Sequence, residues 1–520
     1  MNFVNSSSQC NPEQNRPNAH QIAENLLSMA KELKASVETA AQAGDSFDAV
    51  ERAVFTSVLK MGHQAMELLL ALQGNGDLGQ QCETSEGKLL SRSKDTITTT
   101  VRSIFGEHSL DEFTYAPGEK KAVALRAISA RLSLPKQRWS FLLQEFSQML
   151  CVDQAYAQAM KNLGQILGGK FSIDTAQRIN HQFGQAAGEY LHDLPKPEEK
   201  TEGKLLVATA DCKGVPLVKE DCEKVAAFET AKKNPGNRRM ATVASVYSVD
   251  PHQRTAEEIT AALFREEPEE ESTPKQRPLP KNKNTTAHFP ETADDGEGKV
   301  IPISGIHVAM VWIMGQLAQR RRPGQVLIAL MDGQESLWEA MKLHLSFAAR
   351  TVPILDILHA LAYVWEAAGL FEKNDSARRA FTRLRLLRIL RGEVRGVIQG
   401  FRSLGTRRGL RGEKLKSLNR ICGYLEKNAD RMRYDEYLRR GYPIASGVIE
   451  GACRHLVKDR MERSGMRWTL EGARSMLNVR AAFQSDHWRS FLDLHTANEV
   501  AQTHRHRDLI DDYNLNMLAC

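Results

Sequence analysis

Three acidic residues sit in settings that could do chemistry: Asp211 in LLVATADCKGVPL, Asp332 in VLIALMDGQESLW and Glu450 in GYPIASGVIEGACRHLVKDRMERSGMRW. The first two end apolar, β-rich runs, and the third lies in the first turn of a helix. Carboxylates far apart in sequence converge when the strands that carry them end side by side at one edge of a sheet. Hard oxygen ligands hold Mg²⁺ while leaving positions for water and substrate oxygens, which is what displacement at a phosphodiester needs. The pattern predicts one metal site with Asp211, Asp332 and Glu450 as ligands. Plainer readings stand beside it. An aspartate at a strand end is often a turn residue, and Glu450 with Arg454 makes an i,i+4 pair that serves as surface support on many helices.

The chain that must position these residues has 520 residues, enough for two to four domains. Hydrophobic residues at 42% and charged residues at 26% are ordinary for a globular protein. No run approaches the roughly 18 apolar residues of a membrane helix, and the N-terminus has no charged start followed by an apolar core, so a cytoplasmic protein is expected. The eight cysteines never form a C-x-x-C pair, which argues against a disulfide framework or a structural zinc site built from them. The net charge of +6 is modest but unevenly spread: residues 378–440 carry 19 Lys/Arg against 6 Asp/Glu, and the sign reverses over 265–299. A basic run of this kind is either a solvated helix face or a surface that tracks phosphates.

Periodicity supplies the elements. Residues 18–75 are apolar at helical spacing, with Ile22, Leu26, Leu27, Met29 and Leu33 and then Val50, Val54, Val58, Leu59 and Met61. The stretch from Asp95 to Tyr115 predicts a β-hairpin. Residues 154–184 read as helix, turn, helix: Gly168 and Gly169 supply the turn, and Ser172 caps a second helix exposing Asp174, Gln177, Arg178 and His181. That helix is a candidate for the DNA major groove, or one arm of a plain αα-hairpin. From 201 to 264 the sequence predicts a strand to Asp211, a second strand in RRMATVASVYSVD and the start of a third, strand-like element in RTAEEITAALF. Residues 265–299, rich in Pro, Glu, Lys and Asn, predict a disordered linker inside the domain. Order resumes with the helix HVAMVWIMGQLAQR, the strand to Asp332, the helix SLWEAMKLHL and the run TVPILDILHALAYVWEAA, giving a mixed α/β domain. An arginine-rich helical stretch follows before Tyr442.

ATADCKGVPL, LMDGQESLW, LDILHALAYVWEAA and YDEYLRRGYPIASGVIEGACRHLVKDRMERSGMRW together resemble the blocks of bacterial insertion-sequence transposases of the DDE class, most closely the ISKra lineage. The resemblance covers about 205–482 and, more weakly, 105–184. It implies an α/β fold: an RNase H-like mixed-sheet catalytic core over 201–264, 300–370 and 441–490, with the disordered linker at 265–299 and an all-α insertion at 371–440. A mainly helical N-terminal region at 1–90 and a hairpin plus helical DNA-binding region at 91–200 would precede the core, and a tail at 491–520 would follow it.

Carried over by the same resemblance, Asp211 would bridge two Mg²⁺ ions, Asp332 would bind one and Glu450 the other, with Mn²⁺ able to substitute. Asp356 and His359 match a D-x-x-H element that assists the site. Apart from the resemblance, the helix placement of Gln177 and Arg178 would let them read DNA, the basic insertion would set Arg407, Arg408 and Arg411 against its backbone or against a second subunit, and Arg454 and Lys458, with Arg460 and Arg463, would neutralise phosphates beside the metals or be solvent-exposed helix charges. Trp468 is either core or a base wedge.

The activity implied is hydrolysis at the transposon ends followed by strand transfer, without ATP, since no G-x-x-x-x-G-K-[ST] loop occurs. The partners implied are double-stranded DNA, as transposon ends and target, and further copies of the chain in a homodimer or larger homo-oligomer; no membrane is involved, and the place is the bacterial cytosol and nucleoid. Two competing readings are a catalytically inactive, transposase-derived DNA-binding or regulatory protein and a metal-dependent nuclease without strand transfer. Retention of all three acids separates the first of these from an enzyme.

Overall fold

The computed structural model describes residues 18–226, 236–266, 276–294, 296, 298–345, 351–463, 465–511 and 513. It divides into two compact units, one drawn from Met1–Ile179 and Leu492–Cys520 and the other from Asn180–Phe491. In the first, two long helices, α1 (Ala19–Ala43) and α2 (Phe47–Ala71), form the expected helical start. Gly44, at φ 71°, ends α1 in the left-handed conformation, and Ser46 Oγ caps α2 by accepting from Ala49 N at 3.3 Å. The hairpin is also present. Strand β1 (Ile97–Ser103) pairs antiparallel with β2 (Gly106–Glu112) from Ile97↔Glu112 to Ser103↔Gly106. Helix α3 (Tyr156–Leu167) turns at Gly168 and Gly169, both at positive φ, into α4 (Ile173–His192), where Ser172 Oγ accepts from Thr175 N at 3.2 Å.

The second unit is organised by a five-stranded mixed sheet of β3 (Leu205–Pro216), β4 (Arg238–Val249), β5 (Lys281–His288), β6 (Val326–Met331) and β7 (Thr351–Leu355), in the order β7-β6-β3-β4-β5. β3, β4 and β5 run antiparallel in succession, while β6 and β7 add in parallel on the other side of β3. Both faces are covered, so residues of alternating parity enter two separate cores. Leu206, Ala208, Ala210, Leu327, Ala329 and Met331 pack with α5 (Gly305–Arg320) and α6 (Glu335–His344). Leu205, Val207, Ile328 and Leu330 pack on the opposite face with α7 (Ile357–Phe371).

Two expectations are corrected. RTAEEITAALF holds a helix, Ala256–Leu263, started by a capping box in which Thr255 Oγ1 accepts from Glu258 N at 3.0 Å and Glu258 Oε2 accepts from Thr255 N at 2.7 Å. The third strand is instead β5, inside the stretch expected to be a disordered linker. Its sequence, KNKNTTAH, is too polar to announce a core strand, yet Asn284, Thr285 and Thr286 are buried. Two are satisfied by partners far along the chain, Asn284 Nδ2 donating to Gln316 Oε1 at 2.8 Å and the Thr285 and Ser245 hydroxyls meeting at 3.0 Å, and Thr286 Oγ1 pairs locally with His288 Nε2 at 2.8 Å. Glu291–Asp294 and Val300–Ile303 then pair as a short hairpin. Residues 267–275 of the expected linker lie outside the described residues.

The arginine-rich stretch forms α8 (Asp375–Leu390), α9 (Val394–Arg407), α10 (Gly412–Asn428) and the short helix Tyr434–Arg440. It is all-α, as expected, and shares one apolar core with the sheet through Phe381, Leu386, Phe401, Ile421 and Leu425. Tyr434 and Tyr437 donate to the carbonyls of Leu355 and Pro353 on β7 at 2.9 and 3.1 Å. Glu450 follows on α11 (Gly447–Ala452), which continues into a π-helical segment, Cys453–Lys458, before α12 (Leu470–Gln484). No described helix is long and apolar enough to cross a membrane.

Candidate active site

The register of the parallel strands brings the acids together. The last ladder pair between β6 and β3 is Ala329↔Ala208; three residues further along each strand come Asp332 and Asp211, close enough for the Asp211 charge to act on the Asp332 carboxyl. The last pair between β6 and β7 is Met331↔Leu355, so the next residue, Asp356, falls beside Asp332, and Asp356 N donates to Met331 O at 2.9 Å. Three aspartates thus lie close together across three adjacent strands, Asp332 and Asp356 just past the ends of β6 and β7 and Asp211 within β3, which runs on to Pro216 instead of ending at the aspartate as expected. Asp211 and Asp332 share the parity of Leu205, Val207, Ile328 and Leu330, which sends them to the face that α7 and the insertion cover. His359 lies one turn along α7, and ligand atoms of Asp356, His359 and Glu450 come within 4.8 Å of one another.

Hydrogen bonding divides the cluster by role. Asp356 is fully buried and saturated: Oδ1 accepts from Leu358 N at 3.1 Å and Ser446 N at 3.3 Å, and Oδ2 accepts from Ser446 Oγ and His359 Nδ1, both at 2.8 Å. It caps α7 and in the same position ties the Glu450 helix to His359. With no lone pair to spare, it positions neighbours rather than binding an ion. Asp211 and Asp332 are freer. Asp211 Oδ1 accepts from Cys212 N at 2.7 Å, with Cys453 Sγ at 3.4 Å from Oδ2, and Asp332 Oδ1 accepts from Gln334 N at 2.9 Å. Glu450 is exposed and accepts no hydrogen bond among the described residues.

The cluster is electrostatically unsatisfied. Burial, followed by the charges of Asp211 and Asp356, pushes the Asp332 carboxyl above its ordinary value. Burial, then Asp356 and Asp211, does the same for Glu450, with His359 opposing. The His359 imidazole is held upward, first by its hydrogen bond to Asp356 and then by the surrounding carboxylates. Carboxylates that face one another with only one nearby imidazole to balance them are a donor set suited to a hard divalent cation. By ligand type Asp211, Asp332 and Glu450 would suit Mg²⁺ or Mn²⁺, but the group whose donor atoms lie within 4.8 Å of one another is Asp356, His359 and Glu450, and His359 Nε2 has no protein partner among the described residues.

The basic residues singled out from sequence fare unevenly. Gln177 and Arg178 are exposed on α4, in the first unit. In the insertion most arginines are tied in ion pairs, such as Arg402 with Glu426 at 2.7 Å and Arg420 with Glu366. Arg408 lies 3.9 Å from Glu372, whereas Arg407 and Arg411 are exposed and carry no ion pair among the described residues. Arg454 and Lys458 are exposed on the π-helical segment, with Arg454 3.9 Å from Asp459.

Arg460 is corrected. It is fully buried, its guanidinium lies 4.8 Å from the Trp468 ring centroid, and it cannot meet a phosphate at the surface. Trp468 is core, its backbone joined to Pro216 and Val218 at 3.0 and 2.9 Å.

Three contributors escaped the sequence. Ser446 fills Asp356, Cys453 faces Asp211 from the same helical face as Glu450, and Tyr424 of the insertion stacks on Tyr363 at 3.7 Å. Tyr424 also fills the space where a side chain at Gly333 would stand, 2.2 Å from a Cβ built there. A small residue directly after Asp332 was the available signal for that close approach. Compared with known proteins, the chain matches no family model and no curated protein.

Proposed function

We propose that the chain is a DNA transposase of the DDE class, with an RNase H-like core, that binds the ends of an insertion sequence and catalyses Mg²⁺-dependent cleavage and strand transfer in the cytosol. The observation that carries this reading is the grouping of Asp211 on β3 with Asp332 and Asp356 just past the ends of β6 and β7, with Glu450 brought to it by a helix that Asp356 anchors. A mixed sheet with this acidic edge supports the fold, and the four sequence blocks of the resemblance all border the same cluster.

Divalent ions bound by Asp211, Asp332 and Glu450 would activate the attacking oxygen and stabilise the leaving one. The chain's own groups do the rest. Asp356 fixes the His359 ring through Nδ1 and favours its protonated form, in which Nε2–H donates to a phosphate oxygen or to a neighbouring carboxylate. Exposed Arg454 and Lys458 hold the strand that bears the scissile phosphate. In the first step a water oxygen bonds to phosphorus and the bond to the 3′-oxygen breaks, freeing a 3′-hydroxyl at the element's end. In the second that hydroxyl attacks a target phosphorus and displaces its 3′-oxygen. Both are in-line displacements, so one site serves both.

The test incubates the purified chain with Mg²⁺ and a plasmid carrying the element's ends. Asp211→Asn, Asp332→Asn and Glu450→Gln should each abolish nicking and joining while leaving end binding within about threefold, because each removes ligand charge without bulk. Cleavage by all three variants at the parental rate would overturn the proposal. Binding without cleavage by the parent would favour a DNA-binding regulator.

A further inference from the structure

The first unit holds a second cluster of metal-ligating side chains, unrelated to the carboxylate row. His63 and Glu67 stand one turn apart on the same face of α2, and His108 reaches them from β2. One ligand atom from each lies within 4.8 Å of the others. The His63 and His108 rings stack with centroids 4.7 Å apart, and Glu67 Oε1 is 2.7 Å from His108 Nδ1. His108 is 1% exposed, and its Nε2 is 2.9 Å from Ser103 Oγ.

We propose that His63, Glu67 and His108 form a binding site for one zinc-class divalent cation that joins α2 to the β1–β2 hairpin. Two imidazoles and a carboxylate are a donor set that zinc takes with a fourth position left over. Donor atoms around a tetrahedral zinc lie about 3.4 Å apart, given bonds of about 2.1 Å, so closing the cluster asks for a side-chain adjustment of about an ångström.

Ser103 is the partner that lets His108 serve as a ligand. Without metal, Nδ1–H donates to Glu67 and the Ser103 hydroxyl donates to Nε2. With metal, Nδ1 offers its lone pair beside the Glu67 carboxylate, Nε2–H donates to Ser103 Oγ, and the Ser103 hydroxyl turns to Gly106 O, 3.5 Å away. A metal-bound imidazole whose other nitrogen donates to a fixed acceptor is the usual supporting arrangement.

The approach of helix to hairpin is built at the same place. A Cβ at Gly62 would stand 2.3 Å from the Phe105 ring, and one at Gly106 would stand 3.0 Å from His63 Nδ1. Gly106 also sits at φ +132°, outside the range other residues readily adopt. Two glycines therefore bring the hairpin turn onto α2 directly beside the three ligands. The cysteine count, which argued against a structural zinc site, does not bear on a site built without thiolates.

The experiment strips the full-length protein with chelator, reloads it with Zn²⁺ or Co²⁺, and measures metal per chain by elemental analysis and the visible Co²⁺ spectrum. The expected result is one tightly held ion, with a tetrahedral Co²⁺ band lacking thiolate charge transfer. Glu67→Gln and His63→Ala should weaken the hold on that ion at least about tenfold. Circular dichroism of the metal-free variants checks that they fold. Failure of the parent to retain an ion, or unaltered affinity in both folded variants, would overturn the site.

Discussion

Neutralising Glu450 should stabilise the metal-free protein while removing most of its response to metal. Oxygens of Glu450 and Asp356 lie within 4.8 Å, and two carboxylates at that separation repel by roughly 3 kcal/mol at an effective dielectric of about 20. His359 offsets part of this, and Glu450 is exposed, so solvent screening leaves about 1 kcal/mol. In chelator, Glu450→Gln should therefore raise the melting temperature of the 180–491 unit by about 2 °C.

The sign with pH follows from the raised carboxyls of Asp332 and Glu450. Between the ordinary carboxylate range and their higher folded values, the folded state binds more protons than the unfolded chain. Metal-free stability falls as pH rises through that window, and Glu450→Gln flattens the fall. With Mg²⁺ at about a hundred times its dissociation constant, the parent should gain about 2.7 kcal/mol, or about 5 °C, and the variant less than a third of that. Differential scanning fluorimetry across a Mg²⁺ titration at several pH values reads all of these. A lower melting point for the variant in chelator, together with an undiminished Mg²⁺ response, would refute the reasoning.

Gly333→Ala should lose about 1–3 kcal/mol of stability and most cleavage activity, because the new Cβ meets the Tyr424 ring and displaces the Asp332 turn; a denaturant melt alongside the nicking assay checks it. Deleting 276–294 should yield insoluble protein, since it removes β5 and leaves β4 with an unpaired edge, and a soluble, cooperatively melting product would contradict this. Charge reversal at Arg407 and Arg411 should lower the slope of log affinity for DNA against log salt by about one unit per lost contact, and reversal at ion-paired Arg402 should change it less; fluorescence anisotropy across a salt series measures both. Asp356→Asn should keep the cap on α7 but weaken the hold on His359 and Ser446, lowering turnover more than Mg²⁺ affinity, a split that kinetics at varied Mg²⁺ resolves.

Most elements and the exceptional residues were legible in local sequence, though the helix Ala256–Leu263 and the strand Lys281–His288 were not. A strand carrying Asp211, a strand ending just before Asp332, the hairpin over 97–112, the turn at Gly168 and Gly169 and the cap at Ser172 were all readable, because alternation, helical spacing and glycine placement are properties of neighbouring residues, whereas the continuation of β3 past Asp211 to Pro216 was not. The tertiary structure decided everything that depends on distant partners. Register set Asp356 beside Asp332, a relation that no local spacing contains. KNKNTTAH became a sheet strand because Gln316 and Ser245 satisfy its buried polar groups, and Arg460 left the surface because Trp468 offers its ring. His63 and Glu67 are visible as a pair on one helix face, but His108 joins them only when the hairpin folds back. Burial and convergence are paid in contacts between residues far apart in the chain, and a one-dimensional pattern carries no record of which contacts those are.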